Sequence, residues 1–389
     1  MKNNFYDVII IGSGPAGSSS AYFLSAQGFK VLVIEKEILP RYKTCGGGVV
    51  QRVAKLFPFS FEEVSDVQCF TTEVFDIRAN RHFVTRRDKP IIYMTMRNEF
   101  DYLILSKAKA AGAMVLENTE ATDLITGKES VDVLTKDDKY TARFVIGADG
   151  AGGICSKILK LKLYLIKLPA LEYEIYTGDS MLDKFNKSAR FDFDIIPNGY
   201  GWVFPKKDHL SIGVVEMKKG KKELNKLFDI YLKLLGITNV QRYERHGYFV
   251  PLIKGNNLKF AKDRIFLTGD AAGFADPVTA EGISSAVLSG KIAADTINES
   301  YLNPGMAADL YNYKINHSII DELRFSKIIA ALVYTYPAVR GLLFRFYGQK
   351  LSELITDIFM GEKKYHDLLT DPLNYYKLIK YLLKDDRKL

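Results

Sequence analysis

The stretch from residue 7 to residue 36 constrains the fold of this chain more than any other. Residues 7–11 (DVIII) form an apolar run of the kind that makes a strand buried on both faces. A G-x-G-x-x-G turn follows as Gly12-Ser13-Gly14-Pro15-Ala16-Gly17, and the small residues up to Gly28 read as a helix. A second apolar strand, Val31–Ile34, runs into Glu35 and Lys36. Gly12 allows the tight turn, Gly14 lets the backbone approach a pyrophosphate, and Gly17, after Ala16, lets helix and strand pack closely. The helix N-terminus faces the phosphates, and Glu35 is placed to accept hydrogen bonds from a ribose. These spacings predict a dinucleotide site, since an ordinary glycine-rich βα turn needs no acid at that distance.

A second cofactor-type loop lies far downstream. Residues 265–270 (IFLTGD) read as an apolar strand ending in Gly-Asp, followed by AAGFADPVTAEGISSAVLSG. Asp270 can bind a sugar-like hydroxyl chain, and small Ala271, Ala272 and Gly273 let the backbone pass close to a cofactor. Pro277 stiffens the turn before a helix that starts near Gly282 and Ile283 and stays small-sided, as if packed against something flat. Between the two loops, FVIGADG (144–150) supplies a third strand-to-turn element with Asp149 and Gly150. An elongated FAD, gripped at its adenosine end and again at its ribityl end, explains all three. No His or Cys stands in a flavin-attachment context, so binding is expected to be non-covalent.

Directly after the first fingerprint comes RYKTCGGG (41–48). Three successive glycines, Gly46, Gly47 and Gly48, abandon regular structure unless a close approach or a hinge requires it. Cys45 on that loop has four readings: proton donor, redox partner, gate, or small buried residue. Arg41 and Lys43 meet either a phosphate or solvent. In YGWVFP (200–205), Tyr200, Trp202 and Phe204 alternate along a strand and share one face. Such a row lines an apolar slot or forms the core face of an ordinary sheet.

GSGPAG, Glu35, MRNEFD (96–101), GADG and GDAAG, in this order, resemble the flavoprotein fold of aromatic hydroxylases, flavin halogenases and geranylgeranyl reductases. The chain is most similar to the geranylgeranyl reductases, including the digeranylgeranylglycerophospholipid reductases, on CGGG (45–48), YGWVFP with Gly213 behind it, and DPVTAEGI (276–283). Halogenases would show Gly-Glu-Ser at Cys45-Gly46-Gly47 and two tryptophans at Tyr200 and Trp202. The resemblance implies an α/β (α+β overall) architecture: a Rossmann-type FAD-binding domain, an inserted antiparallel-sheet substrate domain and a C-terminal helical region. It also implies that Arg97 lies along the FAD, with Cys45, Gly46 and Gly47 close to the ring system. Tyr200, Trp202, Phe204, Pro205 and Gly213 would take the substrate, and Cys45, Tyr200 and Trp202 would serve the chemistry. The implied reaction is saturation of a double bond in a polyprenyl lipid by hydride from reduced flavin, with NAD(P)H or reduced ferredoxin as electron donor. A flavin monooxygenase and an electron-transfer flavoprotein to a quinone are the alternatives. Three departures stand out. Ala280 occupies a usual Gly, Gly153 and Ser156 replace a Ser and an Arg, and Val215 replaces a second Gly.

At 389 residues with 47% hydrophobic content, two or three lobes are expected. Pattern assigns 1–75, 96–155 and 260–300 to a discontinuous flavin lobe. Alternating and aromatic-rich runs assign 76–95 and 156–259 to the substrate-side sheet, and 301–389 reads as helical. Within 341–361, Leu343, Phe346, Leu351, Leu354 and Ile358 recur at three and four as an apolar helix face. Three widely spaced cysteines argue for a reducing, cytoplasmic setting, and no Cys/His spacing suggests a metal. The net charge of +8 has no accompanying nucleic-acid motif. It directs attention to the Lys-dotted end NYYKLIKYLLKDDRKL, which reads either as a helix lying on lipid headgroups at the cytoplasmic face or as a solvated cap. No segment has the ~18 uninterrupted apolar residues of a membrane span. The oligomeric state is left open.

Overall fold

Apolar side chains on both faces of 8–11 in strand Phe5–Ile11 and of Val31–Ile34 require cover on both sides, and these residues sit at the centre of a sheet with almost no exposure. The computed structural model describes residues 5–370 apart from 160, 162, 218–223, 238–239 and 256–257. In it the two strands pair in parallel, Lys139–Gly147 joins the other side of Phe5–Ile11, and Met114–Leu116 and Ile265–Leu267 extend the flanks. Ala261–Lys262 closes one edge in antiparallel fashion, and Ala121–Thr126 with Val131–Thr135 forms an antiparallel extension on Lys139–Gly147. Helix Pro15–Ala26 packs against both Arg97–Ala110 and Ile283–Ser300. The small side of Ile283–Ser300 has its reason here. A Cβ on Gly290 would stand 2.6 Å from the Ala16 carbonyl oxygen, so the flat surface it meets is another helix.

A second sheet of seven strands has the order Val240–Lys254, Tyr164–Thr177, Leu210–Glu216, Gly199–Pro205, Ser188–Phe193, Thr71–Asp76, Arg81–Arg86. All its pairs are antiparallel except Ser188–Phe193 with Thr71–Asp76. A third sheet of Gly48–Val50, Ile92–Thr95 and Ser65–Cys69 stands beside the glycine loop.

The pairing moves the lobe boundaries read from the sequence. Thr71–Asp76, assigned to the flavin lobe, belongs to the seven-stranded sheet, while Ile92–Thr95, assigned to the substrate sheet, belongs to the small third one. The boundary at 300 also dissolves. Ala307, Tyr311 and Ile315 are buried in the core of the first sheet, and the Tyr311 hydroxyl donates to the Leu267 carbonyl at 2.8 Å.

The C-terminal helix also packs differently from its pattern. Pro337–Met360 buries Arg340, Phe344, Gly348, Ser352 and Thr356, a row at intervals of four, whereas of the face expected from the sequence Ile358 is buried and Leu343, Phe346, Leu351 and Leu354 are half-buried. From Gly348 to Thr356 the row is small and polar, and it lies against the face that the paired strands Thr71–Asp76 and Arg81–Arg86 present. A Cβ on Gly348 would touch the Phe83 ring at 2.0 Å, and Thr356 and Ser352 bond to Thr72 and Thr85 at 2.7 and 2.8 Å. Residues 374–389, the Lys-dotted end, lie outside the described residues. Among the described residues no single helix is long and apolar enough to cross a membrane.

The cradle turn yields a stability prediction. A Cβ on Gly17 would stand 1.9 Å from the Gly12 carbonyl oxygen and 3.2 Å from Ala148 Cβ, all rigid neighbours. Gly17→Ala is expected to destabilise the fold by about 1–3 kcal/mol and to lower the melting temperature measured by circular dichroism. A wild-type melting temperature would show that helix and strand are not in close contact here.

Candidate active site

One cavity of about 740 Å³ runs from the G-x-G-x-x-G turn to the inner face of the seven-stranded sheet. At its first end Glu35 is buried, and its carboxylate accepts the Ser13 N–H at 2.8 Å, the Ser13 hydroxyl at 2.6 Å and the Glu37 N–H at 3.1 Å. Gly14 presents its bare backbone opposite Arg41, whose Nη2 would lie 3.6 Å from a Cβ there. Arg41 Nη1 and Asp149 Oδ1 are buried without a hydrogen-bond partner among the described residues. An uncompensated donor beside a helix N-terminus is what a pyrophosphate satisfies. Arg97 forms a two-pronged pair with Asp101, at 2.8 and 2.9 Å, and its guanidinium lies beside the Cys45 thiol.

Further in, Asp270 and Lys43 face each other electrostatically. Burial pushes the Asp270 carboxyl above its ordinary range, with Lys43 and Arg97 pulling the other way. Burial, and then repulsion from Arg97, draws the Lys43 ammonium down to about 8. Its Nζ sits 3.1 Å from the centre of the Tyr248 ring.

The glycine loop is pressed between the flavin lobe and the sheet. A Cβ on Gly46 would stand 2.9 Å from Trp202 Nε1 and 3.0 Å from the Phe204 ring, and one on Gly47 would stand 2.0 Å from the Thr95 carbonyl oxygen. Lys206, a buried residue just past Gly199–Pro205, donates to the Gly46 carbonyl at 3.0 Å and to the Thr95 carbonyl at 2.7 Å. The Cys45 sulfur accepts the Gly47 N–H at 3.4 Å.

Strand register assembles the far wall. Phe191, Trp202, Gly213, Glu172 and His246 stand abreast on five strands, and Phe193, Tyr200, Val215, Ala170 and Tyr248 form the next row. Gly213 makes room for Trp202, since a Cβ there would lie 2.0 Å from the indole ring. The Tyr200 hydroxyl donates to the Thr279 carbonyl, and burial, with Asp276 and Cys45 nearby, pushes its pKa far up. Thr279 is held in turn by Asp276, which accepts the N–H groups of Val278 and Thr279 at 2.7 and 2.9 Å.

A family model for the FAD binding domain matches residues 5–167. A protein of Methanosarcina barkeri, itself uncharacterised, is 32% identical over 333 residues, 85% of this chain and 84% of its own length. The digeranylgeranylglycerophospholipid reductase of Methanococcus vannielii is 28% identical over 84% of this chain and 87% of that protein. A geranylgeranyl bacteriochlorophyll reductase-like structure from Thermoplasma acidophilum superposes with a TM-score of 0.75 at 21% identity, covering 92% of this chain and 91% of that one. This chain belongs to the geranylgeranyl reductase family. It is an FAD-dependent oxidoreductase, and the orphaned polar atoms and bare glycines of the cradle fit that cofactor. A flavin-dependent brominase shares the fold, with a TM-score of 0.73 at 22% identity over 99% of this chain and 100% of that one.

Most of the positions singled out in this geranylgeranyl reductase-family sequence line the one cavity. They are Gly12, Gly14, Ala16, Glu35, Lys36, Cys45, Gly46, Gly47, Arg97, Asp149, Gly150, Tyr200, Trp202, Phe204, Asp270, Gly282 and Ile283. Gly17, Pro205 and Gly213 stand behind it: Gly17 in the helix contact, Pro205 buried at a strand end, and Gly213 under the indole. Glu281 caps the following helix, accepting the Ser284 N–H at 2.6 Å, and pairs with Arg52 at 2.7 Å. Ala280, which replaces the family's usual Gly, has a φ of +55°, a backbone that costs an L-residue about 1 kcal/mol. Sequence reasoning missed Glu172 and Lys206. The signal for Glu172 was present in LEYEIY, where two acids alternate inside an otherwise apolar strand. Lys206 had none, because its partners are carbonyls of distant residues.

Trp202 is the only tryptophan and reports on its own seat. Gly213→Ala should displace the indole, shifting its emission to the red, while FAD content stays near wild type. An unchanged emission spectrum would contradict the packing of Trp202 over Gly213.

Proposed function

We propose that this protein saturates carbon–carbon double bonds in the polyprenyl chain of a lipid. The observation that carries the reading is the union of cofactor cradle and aromatic wall in one cavity, whose sheet side presents Phe191, Tyr200, Trp202, Phe204 and Val215, joined by Phe359 of the helix Pro337–Met360. FAD, when bound and reduced, supplies hydride. An isolated trisubstituted alkene has no carbonyl to stabilise negative charge, so protonation accompanies hydride delivery and positive charge builds on the more substituted carbon.

The residues of the chain suit that demand. Trp202, Tyr200 and Phe204 exclude water and offer ring faces to the developing cation. Tyr200, tied to the Thr279 carbonyl, keeps its ring orientation and holds its own proton. Cys45 narrows the passage between cradle and wall, with its thiol beside Arg97. Arg41, Arg97, Asp149 and Asp270 hold the cofactor in this reading, and the ribose falls to Glu35. The relatives named for geranylgeranyl lipids support the substrate class. Exposed rings of Tyr248 and Phe249 at the cavity rim support docking on a lipid surface.

Dithionite-reduced holoenzyme incubated anaerobically with a geranylgeranyl lipid should yield product gaining two hydrogens per double bond, read by mass spectrometry. A product that appears only in air and carries an added oxygen atom would establish the monooxygenase reading instead. Trp202→Ala should keep FAD occupancy near wild type and cut turnover by about thirtyfold to several hundredfold, from lost packing and cation stabilisation of about 1–2 kcal/mol each. Loss of FAD in that variant would place Trp202 with the cofactor rather than the substrate.

A further inference from the structure

The reductase reading requires a proton at the substrate end of the cavity, and the strand Tyr164–Thr177 carries a buried acid there. Glu172 is 1% exposed and lines the cavity beside Trp202 and Gly213. Its Oε2 accepts the Cys45 N–H at 2.9 Å and its Oε1 accepts the Ser211 hydroxyl at 2.6 Å. Two residues on, and on the same face, stands Glu174, also buried. Glu174 Oε2 lies 2.9 Å from His209 Nε2, close but not aligned as a hydrogen bond. The other ring nitrogen, Nδ1, is 2.7 Å from Asp208, whose side chain is 71% exposed. A chain of titratable groups thus leads from solvent to the aromatic wall: Asp208, His209, Glu174, Glu172.

We propose that Glu172 is the acid that delivers the proton to the substrate double bond, and that Asp208, His209 and Glu174 reload it from solvent. This rests on the reductase reading of the site. In the step, the Glu172 O–H bond breaks and a C–H bond forms at one alkene carbon. Hydride goes to the other carbon, the two electrons coming from the reduced cofactor. The Glu172 carboxylate left behind takes a proton relayed from His209 through Glu174, and His209 recovers its own from water by way of Asp208.

The surroundings raise the acid's proton affinity, so that it carries its proton about half the time at neutral pH. Burial, and then the neighbouring Glu174, push the Glu172 carboxyl up to about 7, against the opposing pull of Ser211, Lys206 and the Cys45 N–H. Tyr42 also faces it, from the loop, and His246 from the adjacent strand, its ring tilted by 32° against the Tyr42 ring with centres 4.3 Å apart. Burial alone would lower the pKa of His209, but Glu174 and Asp208 outweigh it, so the imidazole gains rather than loses proton affinity. An acid that works near its own pKa at operating pH is the efficient arrangement.

Glu172→Gln keeps the shape and can still accept the Cys45 N–H. It should lower polyprenyl turnover on the order of a hundredfold while leaving reduction of bound FAD by dithionite unchanged. Wild-type turnover should fall as pH rises through about 7, the variant's residual rate should lack that break, and Glu172→Asp should restore part of both. A readout without catalysis comes from thermal melts. Glu172 binds its proton more tightly folded than unfolded, so its contribution is full below its ordinary 4.5 and lost as pH rises towards about 7. The wild type should therefore lose melting temperature relative to Glu172→Gln between those limits, and parallel curves would overturn the buried acid. Equal turnover and an equal pH break in Glu172→Gln would overturn the delivery step. A wild type that shows the melting signature yet leaves geranylgeranyl lipids untouched would overturn the reductase reading and leave Glu172 assigned as a buried acid.

Discussion

The active site depends on one buried ammonium. Lys206 leaves the end of an aromatic strand and donates to two carbonyls on the other side of the cavity, Gly46 in the glycine loop and Thr95 just before the helix that carries Arg97. Taking a cation out of water is costly unless its donors are filled and counter-charges stand near. The carbonyls fill two donors, and Asp66 and Glu172 feel its charge. This contact ties the aromatic wall of the sheet to the glycine loop and to the strand end at Thr95. The three glycines follow from it, because the loop is squeezed so closely that side chains at Gly46 and Gly47 would strike Trp202 and the Thr95 carbonyl.

The cofactor half was legible in the sequence because its requirements are local. A tight turn, a close backbone approach and an acid at a strand end each leave a mark within a few residues, as Gly12, Gly14, Glu35, Asp149 and Asp270 do. The aromatic row was legible for the same reason, since alternation in YGWVFP fixes a common face. What escaped depends on pairings between distant segments. Cys45 meets Glu172 across 127 positions, and Thr72 meets Thr356 across 284. No periodicity reports either contact. The C-terminal helix misled for a related reason. Its apolar residues recur at helical spacing, but the buried row from Arg340 to Thr356 was selected to fit strand hydroxyls and the Phe83 ring.

The two walls of the cavity divide the work by polarity. Toward the cradle, charged groups of opposite sign stand near one another: Arg97 is paired with Asp101, and Lys43 and Asp270 feel each other's charge. Toward the sheet, ring faces dominate, and burial and the neighbouring Glu174 raise the proton affinity of the carboxyl among them, Glu172. Such a partition suits a substrate that is almost wholly hydrocarbon and a reaction that brings a hydride from one side and a proton from the other. The brominase likeness shows that the fold alone does not choose between chemistries. Under the proposed reductase reading, the Cys45–Gly48 loop and the acid behind it set this chain's cavity apart.

The central claim is that polyprenyl lipid and cofactor react within this one cavity. Stopped-flow absorbance under strict anaerobiosis tests it directly, by mixing protein carrying pre-reduced FAD with a geranylgeranyl lipid in detergent. The account predicts that the oxidised flavin spectrum returns at a rate that rises with lipid concentration and saturates. A flavin that stays reduced at every lipid concentration, and reoxidises only when oxygen is admitted, would contradict it.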